Sequence, residues 1–314
     1  MKKFKINITS NLNIPSVNLA IGNFDGIHIG HQKIIQKLVN ESKKMNVQSA
    51  ILGFDPHPQQ FFTKNYDGFN VINEKTKIEL LDQLNVDYYI SLKFDSVLAS
   101  LSANEFIENF LSKKLKINNL TVGYDFKFGK DRQGDVNLLK QLSLKYNYNI
   151  LIVNPVLDPL TSEIYSSSLV RKNIREGNFE KVSSLLGRNW IMQGAVVRGD
   201  KRASKINFPT ANIIPSNLIK PKKGVYAVKV QYINKYINGI ANFGVRPTID
   251  GKKLLLEVNL FDFNQDIYGK ELTVEFLTFI RDEKKFESSQ KLIQQIHKDI
   301  QIAKNYHSKN FHGI

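Results

Sequence analysis

VNLAIGNFDGIHIGHQKIIQKLVNESKK, residues 17–44, decides the fold of the first half of the chain. Val17–Ile21 is apolar and β-prone, and Gly22–His31 (GNFDGIHIGH) is a glycine-bearing loop. From Gly30 to Lys44 the residues Ile34, Ile35, Leu38 and Val39 recur at helical spacing. Strand, loop and helix follow one another without a hairpin, and the same alternation continues downstream. QSAILGF (48–54) reads as strand, 74–84 as helix and VDYYISLKF (86–94) as strand. Ser102-Ala103-Asn104-Glu105 is a capping box that opens a helix to about Leu115. LTVGYDF (120–126) reads as strand, 136–146 as helix and NILIVNPV (149–156) as strand. This pattern predicts a parallel sheet with helices on both faces, an α/β domain of Rossmann-like type.

The pattern changes after residues 167–186, a helical stretch broken at Gly177. Four strand-like runs follow without helices between them: VYAVKVQYI (225–233), INGIANFGV (237–245), LLLEVNLFDF (254–263) and ELTVEFLTFI (271–280). Gly, Pro and Asn punctuate them, which predicts an antiparallel sheet or β-barrel. A final helix is expected over 288–304, with Leu292, Ile293, Ile296 and Ile300 on one stripe. The predicted domains are 1–186 and 187–314.

Composition excludes several classes. At roughly 150 residues per domain, 314 residues suit two domains. The chain has no cysteine, so disulfides, thiolate metal sites and a cysteine nucleophile are ruled out, and a reducing, cytoplasmic setting is expected. No apolar run approaches the ~20 residues of a membrane helix. MKKFKINITS at the start has lysines but no apolar core, so no leader and no membrane association are expected. Net charge is +15, spread over scattered lysines, with only eight arginines. That scatter reads as a lysine-rich composition bias in preference to a nucleic-acid footprint, which would need a basic face on a recognisable module; a positive surface also attracts small anionic ligands such as nucleotide phosphates. The sequence leaves homo-oligomerisation open.

In an α/β sheet the loop after the first strand lies at the ligand crevice. His28 and His31 are three residues apart at a helix start, where backbone N–H groups and the helix dipole already favour anions. Two imidazoles there can donate to phosphates, and Gly22, Gly26 and Gly30 would let backbone approach a nucleotide. The segment resembles the (H)xGH signature of the nucleotidyltransferase superfamily. GNFDGIHIGHQ is more closely similar to the N-terminal module of bacterial bifunctional riboflavin kinase/FAD synthetases. FDPHP (54–58), GYDFKFGKDRQGD (123–135) and SSSLVR (166–171) fit further motifs of that module in order, with Ser168 where Thr is more usual. The resemblance implies adenylyl transfer from ATP to FMN, giving FAD. It places Gly22, Asn23, Phe24, His28, His31, Ser167, Ser168 and Arg171 around ATP, with Asp125 and Phe128 near the flavin. His28, His31 and Arg171 would be catalytic through their hold on the phosphates.

In the second half, alternation puts Leu255, Glu257 and Asn259 on one face of a strand and Leu256, Val258 and Leu260 on the other. A carboxylate in an apolar strand is solvated or functional. The region resembles the riboflavin kinase module, a small six-stranded Greek-key barrel in that family. Pro209-Thr210-Ala211-Asn212 matches its PTAN motif and Glu257 its catalytic carboxylate. The resemblance implies that Thr210 and Asn212 ligate Mg²⁺ and ATP phosphate, and that Glu257 is general base on the riboflavin hydroxyl. Ala203 and Asn207 stand where glycine is usual, and Asn259 where histidine is. Those departures motivate an alternative, a monofunctional FAD synthetase with a degenerate kinase barrel. Other nucleotidyltransferase chemistry remains open on the His28/His31 signature alone.

Overall fold

The computed structural model describes residues 1–159, 161–197, 208–215, 217–248 and 251–309. Ala203 and Asn207 lie outside the described residues. The chain divides into two compact units, Met1–Ser167 and Ser168–Ile314.

The first unit is a six-stranded parallel sheet. Its strands are β1 (Lys2–Ile6), β2 (Val17–Ile21), β3 (Gln48–Asp55), β4 (Tyr88–Lys93), β5 (Asn119–Gly123) and β6 (Asn149–Val153), in the order β1-β4-β3-β2-β5-β6. The connecting helices are α1 (Ile29–Met45), α2 (Pro58–Thr63), α3 (Glu74–Gln83), α4 (Ser96–Ser100), α5 (Ala103–Glu105) and α6 (Val136–Ser143). All five residues of β2 are buried, as a central strand covered on both faces requires. Val17, Leu19 and Ile21 face a core that includes Phe106, Ile107, Phe110 and Leu111. Ile35 and Leu38 bury α1 on the sheet's other face.

The capping box at Ser102 is present, with Ser102 and Glu105 bonded reciprocally. The helix it opens differs from the expected one, because Phe106–Lys114 winds as a π-helix. Leu115 N donates to Phe110 O, five residues back. Phe106 and Phe110 stack 5.5 Å apart on the buried side of this wider turn.

The second unit holds α7 (Ser167–Glu176, its first residue in the first unit) and α8 (Phe179–Leu186). Six strands follow: β7 (Trp190–Val197), β8 (Ala211–Ile213), β9 (Gly224–Tyr232), β10 (Lys235–Thr248), β11 (Gly251–Leu260) and β12 (Glu271–Asp282). They close into an antiparallel barrel, β10-β11-β8-β7-β12-β9, and α9 (Ser289–Lys309) packs on β9 and β10. Gly177, at φ +83, separates α7 from α8; glycine reaches that left-handed conformation without a Cβ penalty. The aromatic rings of Phe179, Trp190, Tyr226 and Phe276 fill the barrel core, with centroids 5.0–5.8 Å apart.

One ion pair ties α9 to β12. Asp299 is 2% exposed. Arg281 Nε donates to both its carboxylate oxygens at 3.0 Å and Arg281 Nη2 to Oδ2 at 2.7 Å, while Gln295 Nε2 adds a bond at 2.8 Å. Asp299→Ala strands the guanidinium in a largely buried position and is expected to cost about 3–5 kcal/mol. Trp190 is the chain's single tryptophan and is buried in the barrel, so urea unfolding followed by its fluorescence reads this unit. A loss below about 1 kcal/mol, the level of an exposed pair, would show that the link contributes little.

Candidate active sites

The chain leaves β2 through β3 and β4 on one side, then starts β5 on the other. The carboxyl ends of β2 and β5 therefore form a switch point, the crevice where open α/β sheets bind ligands. The loop 22–28 leaves one strand and the loop 124–129 the other.

The first loop is wound tightly. Phe24 (φ +47), Gly26 (φ +84) and Ile27 (φ +41) all take left-handed backbone, which is costly for phenylalanine and for a β-branched isoleucine. Side-chain bonds clamp it. The buried Asp25 carboxylate accepts from Val71 N at 2.9 and 3.0 Å and from Ile72 N at 3.4 Å. Ser167 Oγ donates to Asp25 O at 2.8 Å. Lys77 Nζ donates to Asn23 O at 2.9 Å.

His28 caps α1. It is 4% exposed, and its Nδ1 accepts from His31 N at 3.3 Å. A ring that accepts at Nδ1 carries its neutral-form proton on Nε2, which sets that atom as a donor. The His28 and His31 rings stack at 3.7 Å and 23°, and Phe24 lies 5.1 Å from His31 on centroids. Gly30 suits this packing: a Cβ there would sit 3.1 Å from the His28 ring and 3.3 Å from Tyr165 O, and those neighbours would have to give by a few tenths of an ångström. Two imidazoles thus share a helix N-terminus, where negative charge is stabilised.

Asn23 and Asp25 also line a cavity of about 60 Å³ with Phe54, His57, Lys77 and Tyr89. Burial holds the Lys77 ammonium pKa below its ordinary value, with Asp25, Glu74 and Asp55 pulling it back up. In the second loop Asp125 is exposed, whereas Phe128 is buried against Phe106 and stacked 5.5 Å from Phe126. Ser168 is exposed on the first turn of α7, and Arg171 is buried in the same helix, in the second unit.

In the barrel, Leu256 and Val258 are fully buried and Glu257 and Asn259 half-buried, so β11 alternates as expected over 256–259, while Leu260, expected on the buried face, is half-buried at the strand's end. Glu257 is the register partner of Asn212 on β8 and of Asn242 on β10. Asn242 Nδ2 lies 3.4 Å from Glu257 Oε2. Asn212, Glu257 and Asn242 thus form a row across three strands. Thr210, two residues before Asn212, immediately precedes β8. Their neutral side-chain oxygens are the hard donors Mg²⁺ takes when water and substrate phosphates supply the rest.

Sequence reasoning missed Asn242, Lys77 and the Asp25 clamp. Asn242 is detectable as the hairpin partner of Glu257 once β10 is paired with β11. Lys77 carries no signal, because a lysine in an amphipathic helix reads as solvated.

The fold and these two loci define a two-module nucleotide-using enzyme, a switch-point α/β unit followed by a small closed barrel. Residues 12–168 match the FAD synthetase family and residues 186–307 the riboflavin kinase family. A bifunctional riboflavin kinase/FMN adenylyltransferase of Buchnera aphidicola is 38% identical over 94% of this chain and 96% of its own length. Those of Escherichia coli K12 and Bacillus subtilis are 36% and 34% identical, each over 92% of both chains. A crystal structure from Streptococcus pneumoniae, described as a macrolide-efflux protein, superposes with a TM-score of 0.86 at 31% identity. It covers 96% of this chain and 99% of that one. Among the described residues, no helix is long and apolar enough to cross a membrane. The chain belongs to the bifunctional riboflavin kinase/FMN adenylyltransferase family.

Proposed function

We propose that this chain makes FMN from riboflavin and ATP in its barrel, and FAD from FMN and ATP in its α/β unit. The reading rests on one observation above all: modules of both kinds stand in order on a single chain. That favours it over a monofunctional FAD synthetase with a decayed barrel.

The two reactions ask different things of the protein. In the barrel, a primary alcohol of riboflavin attacks the γ-phosphorus of ATP. Its O–H bond breaks as the new P–O bond forms, the proton goes to Glu257, and ADP leaves. Thr210 and Asn212 would hold Mg²⁺ and a phosphate oxygen, and a bound Mg²⁺ would supply charge neutralisation on the transferring group. In the α/β unit, an FMN phosphate oxygen attacks the α-phosphorus of ATP and pyrophosphate leaves. The attacking phosphate is already ionised, so no base is needed. The work is alignment and charge neutralisation. We assign it to His28 and His31 at the start of α1 and to Ser167, Ser168 and Arg171 in α7. Gly22, Asn23 and Phe24 line the nucleotide pocket, and Asp125 and Phe128 bear on the flavin side. The adenylyltransferase module is taken as 1–186 and the kinase as 187–314, in a cytoplasmic protein whose ligands are small molecules.

The test is a product time course with riboflavin, ATP and Mg²⁺, the flavins separated by chromatography. FMN appearing first and FAD following is the expected result. Riboflavin left untouched while supplied FMN becomes FAD would overturn the bifunctional reading.

A further inference from the structure

The pairing of β8 with β11 stops short of the residues it has to present. The ladder runs Ile213↔Leu256, Asn212↔Glu257 and Ala211↔Val258, and ends there. The next residues, Thr210 and Pro209, lie beyond it. Proline has no N–H with which to continue a ladder. A three-residue strand that ends at its own functional threonine is expected to fray at that point.

Asn259, the next residue along β11, supplies what the backbone does not. Its Nδ2 donates to Pro209 O at 2.7 Å, across fifty positions of sequence. That carbonyl and the Thr210 N–H belong to one peptide plane, so the bond fixes the plane immediately before Thr210. The Ala211↔Val258 pair fixes the chain immediately after it. Alternation places Thr210, Asn212, Glu257 and Asn259 on one face of the two strands. We propose that Asn259 is a positioning residue of the kinase: its amide extends the β8–β11 ladder by one side-chain bond and holds the Thr210–Asn212 segment in the geometry that receives nucleotide phosphate and metal. The proposal rests on the riboflavin kinase reading of the barrel. It differs from a role in proton transfer, because the amide bonds to backbone and not to the Glu257 carboxylate.

The consequence falls on nucleotide binding more than on chemistry. Asn259→Leu keeps the bulk and removes the donor. It is expected to raise KM for MgATP in riboflavin phosphorylation about fivefold to tenfold, the worth of one well-formed hydrogen bond. kcat should stay within about twofold, since Glu257 is untouched. Asn259→His, whose ring N–H also donates, should restore KM. FAD formation from supplied FMN serves as the internal control for folding and should not move in either variant. A readout without nucleotide or metal accompanies this. Amide hydrogen exchange in the 208–213 segment should rise about tenfold in Asn259→Leu and return towards wild type in Asn259→His.

Unchanged KM, a loss of kcat well beyond twofold, or a KM rise that histidine does not rescue, would overturn the proposal. So would exchange in 208–213 that matches wild type in the leucine variant. If the wild-type chain forms no FMN, the kinase reading itself has failed, and the exchange comparison still decides whether Asn259 holds the segment.

Discussion

Glu257→Gln is expected to cut FMN formation from riboflavin by about a hundredfold to ten-thousandfold, the range for loss of a positioned general base. FAD formation from supplied FMN should continue at the wild-type rate. Glutamine preserves the shape of the side chain at its place between Asn212 and Asn242. Glu257 is half-buried on the outer face of β11, while Leu256 and Val258 carry the packing inside, so the barrel should stay folded. The loss would then be chemical: the alcohol's proton has no acceptor when its oxygen attacks phosphorus. Two rates on one preparation separate this from a general defect. Riboflavin phosphorylation near wild type in the glutamine variant would show that Glu257 is not the base. Equal loss of both activities would point to misfolding.

The same contrast explains which parts of the molecule were legible in the sequence. Strand β2 and the loop after it were readable because they obey local rules: an apolar run, then glycines, then histidines at the spacing of a helix start. Strands β3 to β6 and the break at Gly177 were legible for the same reason. What escaped was set by partners distant in sequence. Strand β1, KKFKI, is polar enough to read as a tail, and only its pairing with β4 makes it a strand. Strand β8 has three residues, too few to show a period of two, and exists because β11 and β7 flank it. Asp25 reads as a surface acid in a loop. In the fold it is 3% exposed and holds the backbone of residues 71 and 72. Asp299 sits on the helix stripe expected to be apolar on either side of it, and its burial is offset by Arg281 on β12 and by Gln295 one turn back. The candidate site residues were thus visible by type and spacing. The residues that hold them in place were not, because a clamp is defined by what it touches.

Substitution of His31 has the opposite signature to that of Glu257, and two replacements distinguish its possible roles. His31→Ala is expected to lower FAD formation about a hundredfold to a thousandfold, as loss of one preorganised donor to a developing phosphate charge does. Riboflavin phosphorylation should persist, so FMN accumulates. Yet alanine also removes a ring that stacks on His28 at 3.7 Å and lies beside Phe24 at 5.1 Å, in a loop whose backbone is already strained at Phe24 and Ile27. Phenylalanine at 31 keeps an aromatic face for that stack and supplies no N–H. It leaves the bond from the residue-31 backbone N–H to His28 Nδ1 available. If the imidazole acts as a donor, His31→Phe should be as slow as His31→Ala. If its contribution is to brace the strained loop, His31→Phe should recover most of the wild-type rate. Near-normal FAD synthesis in the phenylalanine variant would remove His31 from the phosphate-binding set and leave His28, with its proton directed to Nε2, as the imidazole donor at the start of α1.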